Sequence, residues 1–513
     1  MRRIGIDVGG TNTDAVLLDG TQVEHAVKTP TTADVTTGIV GALRALLAGV
    51  PPDRRRVDAV MIGTTHFTNA VVQRRDLTPV AALRIGLPAS ASLPPFVDWP
   101  PDLAAIVRGE VFMVEGGHEV DGRRIVSLDE AAIRRAARAI RAAGLRSVAV
   151  AAVFSPIDSS DERRAAEILA QECPGVAVTL SHELGRLGLL ERENAALLNA
   201  ALIELARRTT RAFEQALAAS GLDAPLFLTQ NDGTVTLASQ AAAFPVYSFA
   251  SGPTNSMRGA AFLSGVADAI VVDVGGTTTD VGGVRHGFPR EANTVVEVGG
   301  VRTLFRMPDV LSLALGGGTL VERDPLRIGP ESVGFRLTEQ ALVFGGDRLT
   351  CTDLAVAAGL ASLGDPAAAR RLMPDLVRAA VGEIHARIAE AVDRMKPDAR
   401  EIPVIAVGGA SFLVPPRMPG VSRVLAVPHH AVANAVGAAI AQVGGELDQV
   451  FQNMSREAAI AEARRLAEER AVRAGARRET LTVVEVEDIP LAYLPGNSLR
   501  TRVRVVGEIA GFR

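Results

Sequence analysis

Aromatic residues are scarce in this chain: Phe, Tyr and Trp make up 4% of its 513 residues, with Trp99 the one tryptophan. A surface that stacks unpaired bases needs several such rings, so that mode of nucleic-acid binding is disfavoured. An excess of charge of one sign is also missing. A formal charge of −4 and a pI near 6.1 give no general attraction for nucleic acid or anionic lipid. Cysteine occurs twice, at Cys173 and Cys351. These two have neither metal-ligand spacing nor a disulfide framework, so a reducing cytoplasm is the expected setting. Long apolar runs are absent too. Residues 431–443 form the most apolar helix-like stretch, yet it is about half a membrane span and includes Asn434 and Gln442. Met1-Arg2-Arg3 is not followed by the apolar segment of a signal peptide. What remains is a globular composition, long enough for two or three compact units.

The chain contains an internal repeat. Residues 4–14 read IGIDVGGTNTD and residues 270–280 read IVVDVGGTTTD. Each copy follows one apolar run and precedes another, a strand–glycine turn–strand pattern rather than strand to helix. A Walker loop or a dinucleotide fingerprint would place its glycines before a helix, and neither motif occurs here. Gly9-Gly10 and Gly275-Gly276 let backbone amides approach a phosphate closely. The hydroxyls of Thr11, Thr13, Thr277 and Thr278 can donate to phosphate oxygens. Asp7, Asp14, Asp273 and Asp280 would repel phosphate directly, and are instead candidates to hold Mg²⁺ or its waters. Asp7 and Asp273 are also the candidate catalytic residues. A third glycine turn, Gly408-Gly409, closes the apolar strand over residues 402–407 and suits the flat face of an adenine or ribose.

In this order the three glycine turns resemble the phosphate-1, phosphate-2 and adenosine motifs of the actin-like ATPase superfamily. The resemblance implies an α/β fold of two actin-like (ribonuclease H-like) domains with ATP and Mg²⁺ in the cleft between them. Further segments resemble the hydantoinase A/5-oxoprolinase branch: the Gly63-Thr64-Thr65 block with Asn69, Ser181-His182-Glu183, Glu191-Arg192, Ser251-Gly252-Pro253, Gly316-Gly317-Gly318 and Thr350-Cys351-Thr352-Asp353. Asn12 departs from the branch, whose members usually carry Phe there. Ser251-Gly252-Pro253 reads as a helix start or an anion site. Gly316, Gly317 and Gly318 are expected to let a ligand approach the backbone. Thr64, Thr65 and Asn69 line the cleft or cap a helix. His182 ends a strand, where catalytic and structural roles both stand, whereas His429-His430 reads as structural.

The expected domains are residues 1–190, with an α/β insertion over roughly 75–180, then 191–445, then a C-terminal helix and short β tail over 446–513. A capping box at Ser127 and Glu130 starts one helix, a long helix covers 189–220, and a solvated amphipathic helix covers 455–473. The branch's chemistry is ATP-dependent opening of cyclic amides such as hydantoins, 5-oxoproline or related lactams. It implies a cyclic-amide substrate, a hydrolytic partner subunit and an oligomer, with neither nucleic acid nor membrane as partner. Two rivals share the fold. A sugar or small-molecule kinase would use Asp232, in Gln230-Asn231-Asp232-Gly233, as base, although Asp-Gly is equally a turn. A regulatory or reactivating ATPase would instead act on a partner enzyme.

Overall fold

A computed structural model describes residues 1–9, 12–31, 35–51, 55–185, 187–292, 295–492 and 496–510. The chain opens with β1 (Arg2–Val8), β2 (Asn12–Asp19) and β3 (Gln22–Pro30), an antiparallel meander, and adds β4 (Ala59–Thr64) parallel to β1. The side chains of Ile4, Ile6, Val16 and Leu18 are fully buried on these strands, as β-branched and aliphatic runs covered on both faces require.

A separate sheet follows. It comprises β5 (Val80–Leu87), β6 (Arg108–Glu115), β7 (Ser147–Ala152) and β8 (Ala177–Leu180), all parallel, in the order β6-β5-β7-β8. This is the α/β insertion expected over 75–180. One of its helices, Glu130–Ala142, is capped by Asp129, whose carboxylate accepts from Ala132 N at 2.8 Å. The cap is therefore two residues past the expected Ser127, and the side chain nearest the free amides takes the role.

The long helix α1 (Leu189–Ala219) carries the chain back to β9 (Leu226–Thr229) and β10 (Val235–Leu237). After α2 (Ser251–Ser264) comes the second copy of the repeat, β11 (Ala269–Val274) and β12 (Thr279–Arg285). Short strands follow: β13 (Phe288–Pro289), β14 (Val296–Val298), β15 (Val301–Thr303), β16 (Val310–Leu313), β17 (Thr319–Arg323) and β18 (Leu326–Ser332). Then β19 (Ile402–Val407) and β20 (Val421–Ala426) extend the sheet of β11 in parallel. The helix α3 (Ala433–Ile440) leads into β21 (Val443–Phe451), helix α4 (Arg456–Arg473), β22 (Thr482–Pro490) and β23 (Leu499–Gly507).

The two hairpins obey one register. Asp7 stands opposite Asp14 across β1–β2, and Asp273 opposite Asp280 across β11–β12. Each first strand has a parallel neighbour on its other side, β4 and β19 respectively. The sequence repeat is thus a structural repeat, and the fold is the actin-like α/β fold.

The sheets divide the chain differently from the expected boundaries. β9, β10 and β21 join β1–β4 in a nine-stranded sheet ordered β22-β23-β21-β10-β9-β4-β1-β2-β3. Residues 226–237 therefore lie with the first unit, and the C-terminal strands extend that same sheet. The tail returns because β23 carries a buried apolar face (Val503, Val505). Its Arg502 is bound to Glu291 and to Glu446. On α4, Ser455 caps the first turn, and Ala459, Ala463, Ala467 and Ala471 form a fully buried i, i+4 stripe. Side chains this small let the helix lie close on β21 while its arginines and glutamates face water.

The helix Pro374–Met395 contains Gly382, where a Cβ would meet nothing within 4 Å. Gly382→Ala is expected to stabilise the protein by about 0.5–1 kcal/mol in urea unfolding, because glycine costs a helix backbone entropy with no compensating contact here.

Candidate functional site

Four aspartates from the two hairpins and two asparagines from α2 and α3 set the electrostatics of the cleft. Asp7 is buried on β1. Asn434 Nδ2 on α3 donates to its Oδ2 at 3.3 Å. Burial, then the neighbouring charge of Asp14, lifts the Asp7 carboxyl to about 7, while Asn434 and Asn255 oppose the rise and Asp273 adds to it. Asp14 is raised by burial against the pull of Lys28, whose Nζ reaches both carboxylate oxygens at 2.7 and 2.8 Å. Asp273 is raised by burial, with Ser256, Lys28 and Asn434 acting the other way. Asp280 is pushed up to about 6 by burial, with Ser312 opposing and Asp273 reinforcing. Carboxylates held this uncomfortably favour an incoming cation.

Several polar atoms around the aspartates lack partners. Among the described residues, Asp7 Oδ1, both amide atoms of Asn255 and Ser256 Oγ are buried without a hydrogen-bond partner of normal geometry. Buried groups left this way point to something that completes them. No three His, Cys, Asp or Glu side chains among the described residues converge closely enough to hold a metal ion.

The hairpin turns differ in what they offer. Gly9 N donates to Asn12 O at 3.0 Å and Gly275 N to Thr278 O at 2.9 Å, the same turn closure in both copies. Gly10 and Thr11 lie outside the described residues. In the second copy, the amides of Gly276 and Thr277 have no acceptor among the described residues, and the Thr278 side chain is exposed. Thr13, by contrast, is fully buried, with its hydroxyl 3.4 Å from that of Thr31.

Gly316, Gly317 and Gly318, where a ligand was expected to approach, pack against the second hairpin. Their amides are spent within the protein: Gly316 N on Thr319 Oγ1 (2.7 Å), Gly317 N on Gly275 O (3.0 Å) and Gly318 N on Gly276 O (2.7 Å). A Cβ on Gly316 would stand 2.6 Å from Thr277 N, so the loop buttresses the second hairpin backbone to backbone. Thr352 Oγ1 donates to Gly317 O, and Asp353 closes a capping box with Thr350, which holds the loop from behind. Gly408 has a φ of 91°, and a Cβ there would stand 2.3 Å from Asp273 Oδ1. Glycine is thus needed for this turn to reach the aspartates, while a Cβ on the next residue, Gly409, would meet nothing within 4 Å.

Asp232 stands apart from the four aspartates. It accepts from Thr234 Oγ1 (2.7 Å) and Thr234 N (3.1 Å) and pairs with Arg306 at 3.0 Å. Burial would raise its carboxyl, but Arg306 and Arg504 outweigh that and hold it below the usual range. Its neighbour Asn231 accepts from Ala250 N at 2.8 Å, just before α2. Ser251 Oγ bridges Thr64 N and Thr64 O, and Thr64 Oγ1 accepts from His66 N, so these residues lock β4 to α2. His182 Nδ1 lies 2.6 Å from the buried Glu162. His429 has a φ of 58°, and His430 Nδ1 lies 3.2 Å from Val427 O, two histidines shaping one turn.

The aspartates and glycine turns were visible as motifs. Asn255, Ser256 and Asn434 were missed. Their one signal is a polar residue on the buried face of an apolar helix.

Residues 3–173 match the hydantoinase/oxoprolinase N-terminal region, and residues 192–364 match hydantoinase/oxoprolinase. The chain belongs to the hydantoinase/oxoprolinase family. It is 28% identical over 390 residues to the acetophenone carboxylase gamma subunit of Aromatoleum aromaticum, covering 69% of this chain and 53% of that one. It is 26% identical over 418 residues to caprolactamase subunit alpha of Pseudomonas jessenii, covering 76% and 58%. The chain thus spans between half and two thirds of the length of these relatives. The crystal structure of ATP-dependent caprolactamase from Pseudomonas jessenii superposes with a TM-score of 0.76 at 20% identity, covering 98% of this chain and 87% of that chain. No helix among the described residues is long and apolar enough to cross a membrane.

Proposed function

We propose that this member of the hydantoinase/oxoprolinase family binds ATP between its two hairpins and uses it to activate the amide oxygen of a cyclic amide, such as a hydantoin, 5-oxoproline or a related lactam. The observation that carries the reading is the shared register of the two hairpins, whose aspartates are near enough for Asp273 to act on both Asp7 and Asp14. The free amides of Gly276 and Thr277 and the backbone at Gly9 suit phosphates, with Gly10 and Thr11 assigned there by the repeat. Gly409 offers an open face to the nucleoside. Asp7, Asp14, Asp273 and Asp280 would hold the waters of a Mg²⁺ ion, whose charge would neutralise the phosphates when bound.

An amide carbon is a poor electrophile. Attack of the amide oxygen on the terminal phosphorus, with ADP leaving, gives an O-phosphorylated imidate that water can attack. The protein's part is positioning and charge stabilisation. The family relatives named above are subunits, and we infer that this chain likewise works in the cytoplasm with a hydrolytic partner in an oligomeric complex. Two structural units frame the cleft in this reading: residues 1–250 with the inserted sheet and the returning C-terminal strands, and residues 265–430.

ATP turnover by the purified complex should rise at least 10-fold on adding hydantoin, 5-oxoproline or caprolactam, as coupling of binding to phosphoryl transfer demands. Recovery of a phosphorylated sugar would establish the kinase reading instead, although the engagement of Asp232 by Arg306 and Thr234 argues against it as the base. ATP turnover that needs a protein partner and no small molecule would favour a reactivating ATPase. The match to a carboxylase subunit supports one further reading, in which the activated oxygen belongs to a ketone or to bicarbonate. Bicarbonate-dependent ATP turnover with a ketone would establish that reading.

A further inference from the structure

A cavity of about 540 Å³ opens away from the aspartates, where the inserted sheet, the β9–β10 turn and the C-terminal segment meet. Its volume is that of a small-molecule site. One part of its wall is cationic: Arg163, Arg470 and Arg473 all line it. Among the described residues none of the three is paired with a carboxylate, and Arg470 donates to the backbone oxygen of Glu446 at 2.8 Å. Of the acidic residues around the cavity, Glu446 is bound to Arg306 and Arg502, and Asp448 to Arg500, which leaves Glu183. The surplus is therefore positive. The lining also includes apolar rings, the half-buried Phe244 and the buried Phe305.

His182 lines the cavity as well. Its Nδ1 is fixed on Glu162, which also accepts from Ser181 Oγ, His182 N and Ala152 N. A carboxylate holding Nδ1 in this way fixes the ring and leaves the other nitrogen for a ligand.

We propose that this cavity binds a small organic carboxylate, its anionic head met by Arg163, Arg470 and Arg473 and its carbon skeleton lying on Phe244 and Phe305. Arginine forks suit a carboxylate, and the apolar rings separate an organic acid from inorganic phosphate, which has no surface to bury there. The lining includes none of the four hairpin aspartates, although it does include Gln230, whose neighbour Asn231 holds the start of α2.

The test is isothermal titration of the full chain with straight-chain C4–C8 mono- and dicarboxylates, their ω-amino acids, hexylamine and inorganic phosphate. Saturable binding of at least one carboxylate, absent for hexylamine, is expected. Charge reversal at the exposed Arg163→Glu and Arg473→Glu should weaken it at least 10-fold, while a fluorescent ATP analogue binds both variants as it binds the parent. Unfolding curves check that the variants remain folded. The proposal is overturned if no carboxylate of the series saturates, if both variants bind it as the parent does, or if phosphate binds as tightly as the organic acids. A loss of analogue binding together with carboxylate binding would also overturn it, by placing both ligands in one site. Failure of ATP to bind the parent would count against the cleft alone and leave the carboxylate result to stand by itself.

Discussion

Asp7→Asn should lower ATP turnover steeply and, in the free protein, raise stability at alkaline pH. The two effects share one cause. Asp7 is buried beside Asp14 and faces Asp273, and its carboxyl lies at about 7, where an unfolded aspartate ionises near 3.8. The folded state keeps a proton that the unfolded chain releases. That proton's contribution to stability is complete below about pH 3.8 and is lost as pH rises through 7. Three units correspond to about 4 kcal/mol at most, since a cleft site relaxes more than a sealed one. Asparagine carries no charge and escapes the cost. The gap between variant and parent should open from about pH 4 and level off above about pH 7, as read by denaturant unfolding at pH 4.5, 6 and 8. Turnover should fall about 100-fold or more, the usual loss when a group stabilising transferred charge is removed. A variant less stable than its parent at pH 8 would show that the carboxylate is already compensated before any ligand binds. Such a trade between stability and function is common at sites built to receive charge.

The parts of the fold that could be read from the chain were those written in short, contiguous patterns. The hairpins at Asp7–Asp14 and Asp273–Asp280 agree at seven of eight positions, and the structure keeps even their register. The long helix announced itself by length and spacing, and appears as Leu189–Ala219. What escaped was non-local. Nothing in residues 482–507 states that they pair with β21 rather than closing a sheet of their own. That choice is made by Val503, Val505 and the Arg502–Glu291 ion pair together. Gly316–Gly318 suggest a backbone that approaches a ligand, and nothing local says that the amides of Gly317 and Gly318 bind the second hairpin. Asp232 shows the same limit: its chemistry is that of a base, and only the fold reveals Arg306 beside it. The carboxylate cavity draws on residues from 155 to 474, and no local spacing could have announced it.

Gly437→Ala should destabilise the protein by about 3 kcal/mol or more and weaken nucleotide binding with it. A Cβ on Gly437 would stand 1.8 Å from the carbonyl oxygen of Asn255, and one on Gly259 would stand 1.9 Å from that of Ala433. Both obstacles are backbone atoms, so no rotamer change relieves them, and α2 and α3 must move apart by roughly 1 Å or more to restore van der Waals contact. Overpacking of this kind typically costs 1–3 kcal/mol, and here it falls on a contact made wholly of main chain. The functional effect follows from where the helices point. Asn255 and Ser256 ride on α2 and Asn434 on α3, and these three side chains oppose the rise in the carboxyls of Asp7 and Asp273. Separating the helices withdraws them from the aspartates of both hairpins at once. Urea unfolding and titration with a fluorescent ATP analogue should therefore change together in Gly437→Ala, whereas Gly382→Ala should leave binding as it is. An Ala variant at 437 that keeps the parent's stability and affinity would mean that the crossing tolerates the methyl group, and that the aspartates are aligned by their own sheets rather than by the helices between them.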